Sequence, residues 1–141
     1  MPTPTVRRQL RIMGSPAEYA PHALGRWGER HAARFLREKG WSILARNYRF
    51  GRREVDLIVR RRDIVAFVEV KTRAGGEFGC PEEAITHLKR REIEAVATHF
   101  LARHAPAGLS VRFDAVAIVV NAGARTVRIR HVEDAWRPGW Q

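Results

Sequence analysis

Glu54-Val55-Asp56-Leu57-Ile58-Val59-Arg60-Arg61, Arg62-Asp63, then Ile64-Val65-Ala66-Phe67-Val68-Glu69-Val70-Lys71-Thr72 is the stretch on which the fold turns. Two short runs rich in β-branched residues flank a two-residue link, which reads as consecutive antiparallel strands. Side chains alternate between the faces of a strand, so residues i and i+2 share a face about 7 Å apart. In the second run Ile64, Ala66, Val68 and Val70 line one face, and Val65, Phe67, Glu69 and Lys71 the other. In the first, Glu54, Asp56 and Ile58 share a face, with Val55, Leu57 and Val59 opposite. Ile64 to Val70 is apolar apart from Glu69, the mark of a central strand covered on both sides. Charges at the end of such a strand need partners or a cleft. Paired as neighbours, the two strands let Asp56 approach Glu69.

Outward from this hairpin the elements follow by periodicity and punctuation. Trp41–Phe50 reads as a strand leading into a Gly51-Arg52-Arg53 turn. Before it, Leu24 to Lys39 is helical, with Leu24, Ala32, Phe35 and Leu36 on one stripe and Gly40 as the stop signal. After it, Gly75-Gly76 opens a loop to Cys80. Pro81 with Glu82 and Glu83 then suits a first helical turn, and this helix should run to about Arg103, ended by Pro106 and Gly108. Val111–Val120 and Thr126–His131 are the remaining strands, and Trp136 to Trp140 reads as an aromatic lid. The order α-β-β-β-α-β-β gives an α/β fold with a mixed central sheet flanked by helices. Residues 1–20 read as a basic, mobile or loosely docked arm, and 21–141 as one domain.

The chain has 141 residues, one ordinary domain, with 26 basic against 15 acidic residues and a formal charge of +11. That excess favours a polyanionic partner, nucleic acid first and an anionic membrane surface second. Cys80 is the lone cysteine, so neither an intrachain disulfide nor a cysteine-based zinc cluster forms. No apolar run is long enough to span a bilayer, and no apolar segment follows Arg7, Arg8 and Arg11, so the expected address is cytoplasmic. Zincin, phosphate-loop and serine-hydrolase motifs are missing.

Carboxylates gathered at one point suit Mg²⁺ or Mn²⁺, which take hard oxygen ligands and relieve the repulsion between the acids. Lys71 then stands where it orients a water or offsets phosphate charge. The same Glu-x-Lys pair also fits an exposed strand with a weak ion pair. Glu29 lies at the rim of the first helix's apolar stripe, placed either to reach the sheet as a third carboxylate or to face solvent. Lys89 falls within the stripe formed by Ile85, Ile93, Val96 and Phe100; its ammonium either snorkels to solvent or enters a polar cleft and meets phosphate. The chain has 23 Arg and only three Lys, two of them Lys71 and Lys89. Asp114 reads as structural.

These residues resemble a known family. Phe67-Val68-Glu69-Val70-Lys71-Thr72-Arg73, preceded by Glu54-Val55-Asp56-Leu57-Ile58, is similar to the YraN family of predicted endonucleases, placed in the PD-(D/E)XK superfamily with restriction endonucleases and archaeal Holliday-junction resolvases. Gly25, Gly28-Glu29, Ala32-Ala33, Asn47-Tyr48-Arg49, Ala84-Ile85, Lys89 and Arg112-Phe113-Asp114 extend the match over about residues 24–120. Val55 and Arg53 depart from it, standing where the motif's Pro and the family's usual Gly would be. The resemblance implies a restriction-endonuclease-like fold with an αβββαβ core. It implies metal held by Asp56, Glu69 and the Val70 carbonyl, a catalytic Lys71, and Glu29 as the helix-borne acid. Lys89, Arg52, Arg53 and Arg73 are expected on the phosphate backbone. The expected function is a Mg²⁺- or Mn²⁺-dependent endonuclease acting on nucleic acid, DNA before RNA, with no membrane partner; a homodimer is compatible with it. The alternative is a nucleic-acid-binding module whose nuclease site is vestigial.

Overall fold

A computed structural model of the chain describes residues 5–9, 21–75, 83–104, 107–121 and 126–139. The elements are β1 (Thr5–Gln9), α1 (Pro21–Glu38), β2 (Ser42–Phe50), β3 (Arg53–Arg61), β4 (Ile64–Ala74), α2 (His87–His104), β5 (Ser110–Asn121) and β6 (Thr126–Val132). They form a six-stranded sheet in the order β1-β6-β5-β4-β3-β2. Among the described neighbours only β4 and β5 run parallel, joined by the connection that bears α2, whereas β1 and β2, the strands on either side of α1, lie at opposite edges; the other pairings are antiparallel. This is the mixed sheet flanked by helices that the sequence predicts, and it agrees with a restriction-endonuclease-like core.

The two helices cover opposite faces. Trp27, Ala32, Ala33, Phe35 and Leu36 of α1 pack on Leu57, Val59, Ala66, Val68, Val70, Val116 and Ile118. Ile93, Val96, Ala97 and Phe100 of α2 pack on Ile58, Val65, Phe67, Phe113 and Ala115. Strand β4 is therefore buried from Val65 to Val70, and its apolar run reflects cover on both sides.

Helix α1 starts three residues before the expected Leu24, at Pro21, a residue favoured in the first helical turn. It ends as expected at Gly40, whose φ of +94° lets the Trp41 N–H reach the Leu36 carbonyl (3.0 Å) and the Gly40 N–H that of Arg37 (2.9 Å). Helix α2 begins at His87 rather than at Pro81. Thr86 caps it, its hydroxyl accepting the Lys89 N–H at 3.1 Å. Pro81 and Glu82 lie outside the described residues, as does Trp140 of the expected lid; Trp136 is buried and stacks on Phe113 at 5.3 Å. Within the stretch read as an arm, Thr5–Gln9 forms the edge strand β1, paired with β6. Among the described residues no helix is long and apolar enough to cross a membrane.

Candidate active site

Strands β3 and β4 pair from Arg61↔Ile64 to Leu57↔Val68 and then part. Beyond that point β3 stays paired with β2 as far as Phe50↔Arg53, while β4 stays paired with β5 as far as Ala74↔Val120. The sheet forks, and the first residues past the fork are Asp56 and Glu69. Asp56 closes the gap: its Oδ2 accepts the Val70 N–H at 2.7 Å, in place of a lost ladder partner. The carboxyl of Glu69, a residue only 5% exposed, stands in the same crevice.

The fork also switches a face. Alternation predicts Val55 beside Leu57 and Val59, but Val55 packs with Ile58 and Val65 on the α2 side. The β2–β3 pairs Arg46↔Leu57 and Tyr48↔Val55 flank Asn47, which has a φ of +48°. A left-handed residue inside a strand twists the ribbon locally, and without β4 alongside, β3 follows it. Asn is among the few side chains that tolerate this conformation.

Asn47 is the site residue that reading the strands singly misses. Its amide nitrogen donates to Glu29 Oε2 (2.9 Å) and Glu54 Oε1 (3.0 Å), tying α1 to β3 across the mouth of the fork. Its signal in the sequence is a polar, turn-favouring residue inside a strand run. Glu54 is further held by Arg49, with Nε–Oε2 at 2.8 Å. Glu29 thus comes to the rim of the site. Among the described residues no set of three His, Cys, Asp or Glu side chains lies close enough to share one metal ion. The acids brought together at the fork are a pair, Asp56 and Glu69.

Helix α1 gets this close because of Gly28. A Cβ there would overlap the Thr72 side chain of β4, whose hydroxyl is buried with no hydrogen-bond partner among the described residues. Lys71 lies on the Glu69 face, Nζ 4.0 Å from Glu69 Oε1. Lys89 reaches in from α2; its Nζ donates to the Glu54 carbonyl at 3.2 Å and lies 4.0 Å from Glu92. Arg52 sits exposed on the β2–β3 turn, Arg53 exposed at the start of β3, and Arg73 exposed on the free arm of β4, so these three flank the fork.

Burial and the nearby Glu69 push Asp56 up to about 9; Glu29 adds to the rise, while the Val70 N–H and Lys89 oppose it. Glu69 is also raised, chiefly by burial, with Lys89 and then Lys71 opposing. Without a cation the pair retains a proton at neutral pH. Glu69 Oε2 is buried with no hydrogen-bond partner among the described residues. Two hard oxygens, one of them unsatisfied, next to two ammonium groups form an arrangement able to take a divalent cation and a phosphate.

The profile of the uncharacterised protein family UPF0102 matches residues 28–118, the span that holds the C-terminal part of α1, the fork and α2. A UPF0102 protein of Chlorobium phaeobacteroides is 41% identical over 122 residues, covering 84% of this chain and 97% of the relative. One from Nocardia farcinica is 48% identical over 105 residues (74% and 83%), and one from Rhodococcus opacus 46% over 114 residues (81% and 96%). UPF0102 is the family that the resemblance to YraN identifies.

Proposed function

This chain belongs to the uncharacterised protein family UPF0102, and we propose that it is a metal-dependent endonuclease that hydrolyses phosphodiester bonds in nucleic acid, with DNA the first substrate. The observation that carries this reading is the fork. It brings Asp56 and Glu69 together, sharing a proton in the absence of a cation, with Glu69 Oε2 unsatisfied and two ammonium groups alongside. Buried acids are otherwise paired with cations or hydrogen-bond donors, so this pair fits a divalent ion.

Asp56, Glu69 and the Val70 carbonyl would hold Mg²⁺ or Mn²⁺. The ion would supply Lewis-acid stabilisation of phosphate charge and a water acidic enough to attack at neutral pH. The Lys71 ammonium, on the Glu69 side, would orient the attacking water and offset charge as it develops on the phosphate. Lys89, whose Nζ lies at the Glu54 carbonyl, would present its charge to the scissile phosphate. Arg52, Arg53 and Arg73 hold the flanking backbone on either side of the fork. Asn47 keeps Glu29 and Glu54 at the rim, where their charge favours cation binding.

The test is cleavage of duplex, single-stranded and branched DNA, with RNA in parallel, in Mg²⁺ or Mn²⁺. Wild type should cut, and Glu69→Ala and Lys71→Met should each lose roughly 10²-fold or more of the rate. Added Mg²⁺ should raise the melting temperature of wild type and leave that of Glu69→Ala unchanged. Equal cleavage by wild type and Glu69→Ala would sink the reading. Salt-sensitive binding without turnover would make the domain a binding module.

A further inference from the structure

Strand register places a second set of basic residues beside the fork. In β4 the face that carries Glu69 and Lys71 continues to Arg73. Across β5, Lys71 is level with Ala117 and Arg73 with Val119. Across β6, Ala117 is level with Arg130 and Val119 with Arg128. Val127 and Ile129 turn to the α1 side, so Arg128 and Arg130 lie on the α2 side with Lys71 and Arg73. Two parallel rows result, Lys71–Ala117–Arg130 and Arg73–Val119–Arg128.

The rows are about 7 Å apart along the strands, and their basic ends about 10 Å apart across them. Ala117 and Val119 form a low, buried floor between the cations, and none of these six residues is acidic. Helix α2 packs over β3 and β2, at the other end of this face. At the outer edge the register partner of Arg128 is Arg7 of β1. Lys71 belongs both to this rectangle and to the fork, so the basic surface starts at the carboxylates and leads away from them over β5 to β6.

We propose that this face is a phosphate track: Arg128 and Arg130, with Arg73, carry the backbone of the nucleic acid away from the fork. This rests on the endonuclease reading for the fork but is tested separately from it. A row of guanidiniums over a small apolar floor suits a chain of phosphates, which Arg contacts in bidentate fashion. Sequence alone hides the track, because Arg128 and Arg130 lie more than fifty residues from Lys71 and Arg73 and meet them only across β5.

The experiment measures binding of a labelled DNA duplex and of its single strand, in EDTA, as a function of salt. Arg128→Gln/Arg130→Gln keeps most of each side chain and removes both charges; Arg34→Ala/Arg37→Ala, on the exposed side of α1, removes the same charge elsewhere. With the track, the log–log salt slope of the Gln variant falls by about 2 relative to wild type, while the α1 variant keeps the wild-type slope. Equal slopes in the two variants, or no binding of either DNA by wild type, overturns the track. Cleavage by wild type with unchanged slopes removes the track alone. A reduced slope without cleavage removes the endonuclease reading alone. Circular dichroism and melting of the Gln variant confirm that it is folded.

Discussion

Asp114, on the α1 face of β5, is fully buried, and Glu69, at the fork on the α2 face of β4, is nearly so. Their surroundings differ completely. Asp114 accepts from Arg112 Nε (3.1 Å) and its terminal nitrogen (2.8 Å), lies 2.8 Å from His131 Nε2, and accepts the Asp134 N–H (3.0 Å). Burial alone would raise its pKa, but the hydrogen bonds from His131 and Arg112 outweigh it and hold the carboxyl below its ordinary value. At the fork a second acid stands where Asp114 has Arg112 and His131, and both carboxyls are raised. In the first arrangement both carboxyl oxygens of Asp114 find their partners within the protein, and the bonds pin β5, β6 and the Asp134 turn together. The second leaves Glu69 Oε2 without a hydrogen-bond partner among the described residues, and the proposed cation would supply it. Burial of an acid by itself does not single out a functional site; the paired acids short of partners are what the proposal rests on.

The contrast is open to attack at several points. Asp114→Ala should have the largest effect: it strands Arg112 and His131 and costs about 3–5 kcal/mol of stability, read by urea denaturation. Gly28→Ala should come next, at about 1–3 kcal/mol, because α1 must back away from Thr72. It should also loosen Glu29 from Asn47 and leave the Asp114 network intact; a variant as stable as wild type would mean that the close approach is not needed. Asp56→Asn should be the smallest and of opposite sign. It should stabilise the metal-free protein at pH 7 by about 1 kcal/mol, a few degrees in melting temperature, and abolish stabilisation by Mg²⁺.

The pH dependence of the two centres differs in sign as well. The folded, metal-free protein keeps a proton on Asp56 that the unfolded chain releases, so this contribution is fully present below about 3.8 and is lost as pH rises towards about 9. Asp114 is the reverse: its contribution is present above its ordinary value of 3.8 and is lost as pH falls through its lowered folded value. Melting curves from pH 5 to 9 should therefore slope downward in wild type without metal and flatten in Asp56→Asn. An unchanged slope in the variant would move the shared proton off Asp56.

What the residues alone determine here is whatever depends on local periodicity. Alternation puts Glu69 and Lys71 on one face of a buried strand, the short Arg62-Asp63 link makes its neighbour antiparallel, and Gly40 ends the first helix by adopting a φ that few other residues accept. Capping by Thr86 was hidden behind the stronger signal of Pro81 and the acids that follow it. The tertiary structure alone decides where β3 leaves β4, that Val55 changes sides, that Asn47 bridges Glu29 to Glu54, and that Arg128 and Arg130 line up with Lys71 and Arg73. The reason is physical: a side chain's face follows from its own strand, but the length of a ladder and the company across it come from strands distant in sequence, whose packing against both helices sets where pairing stops.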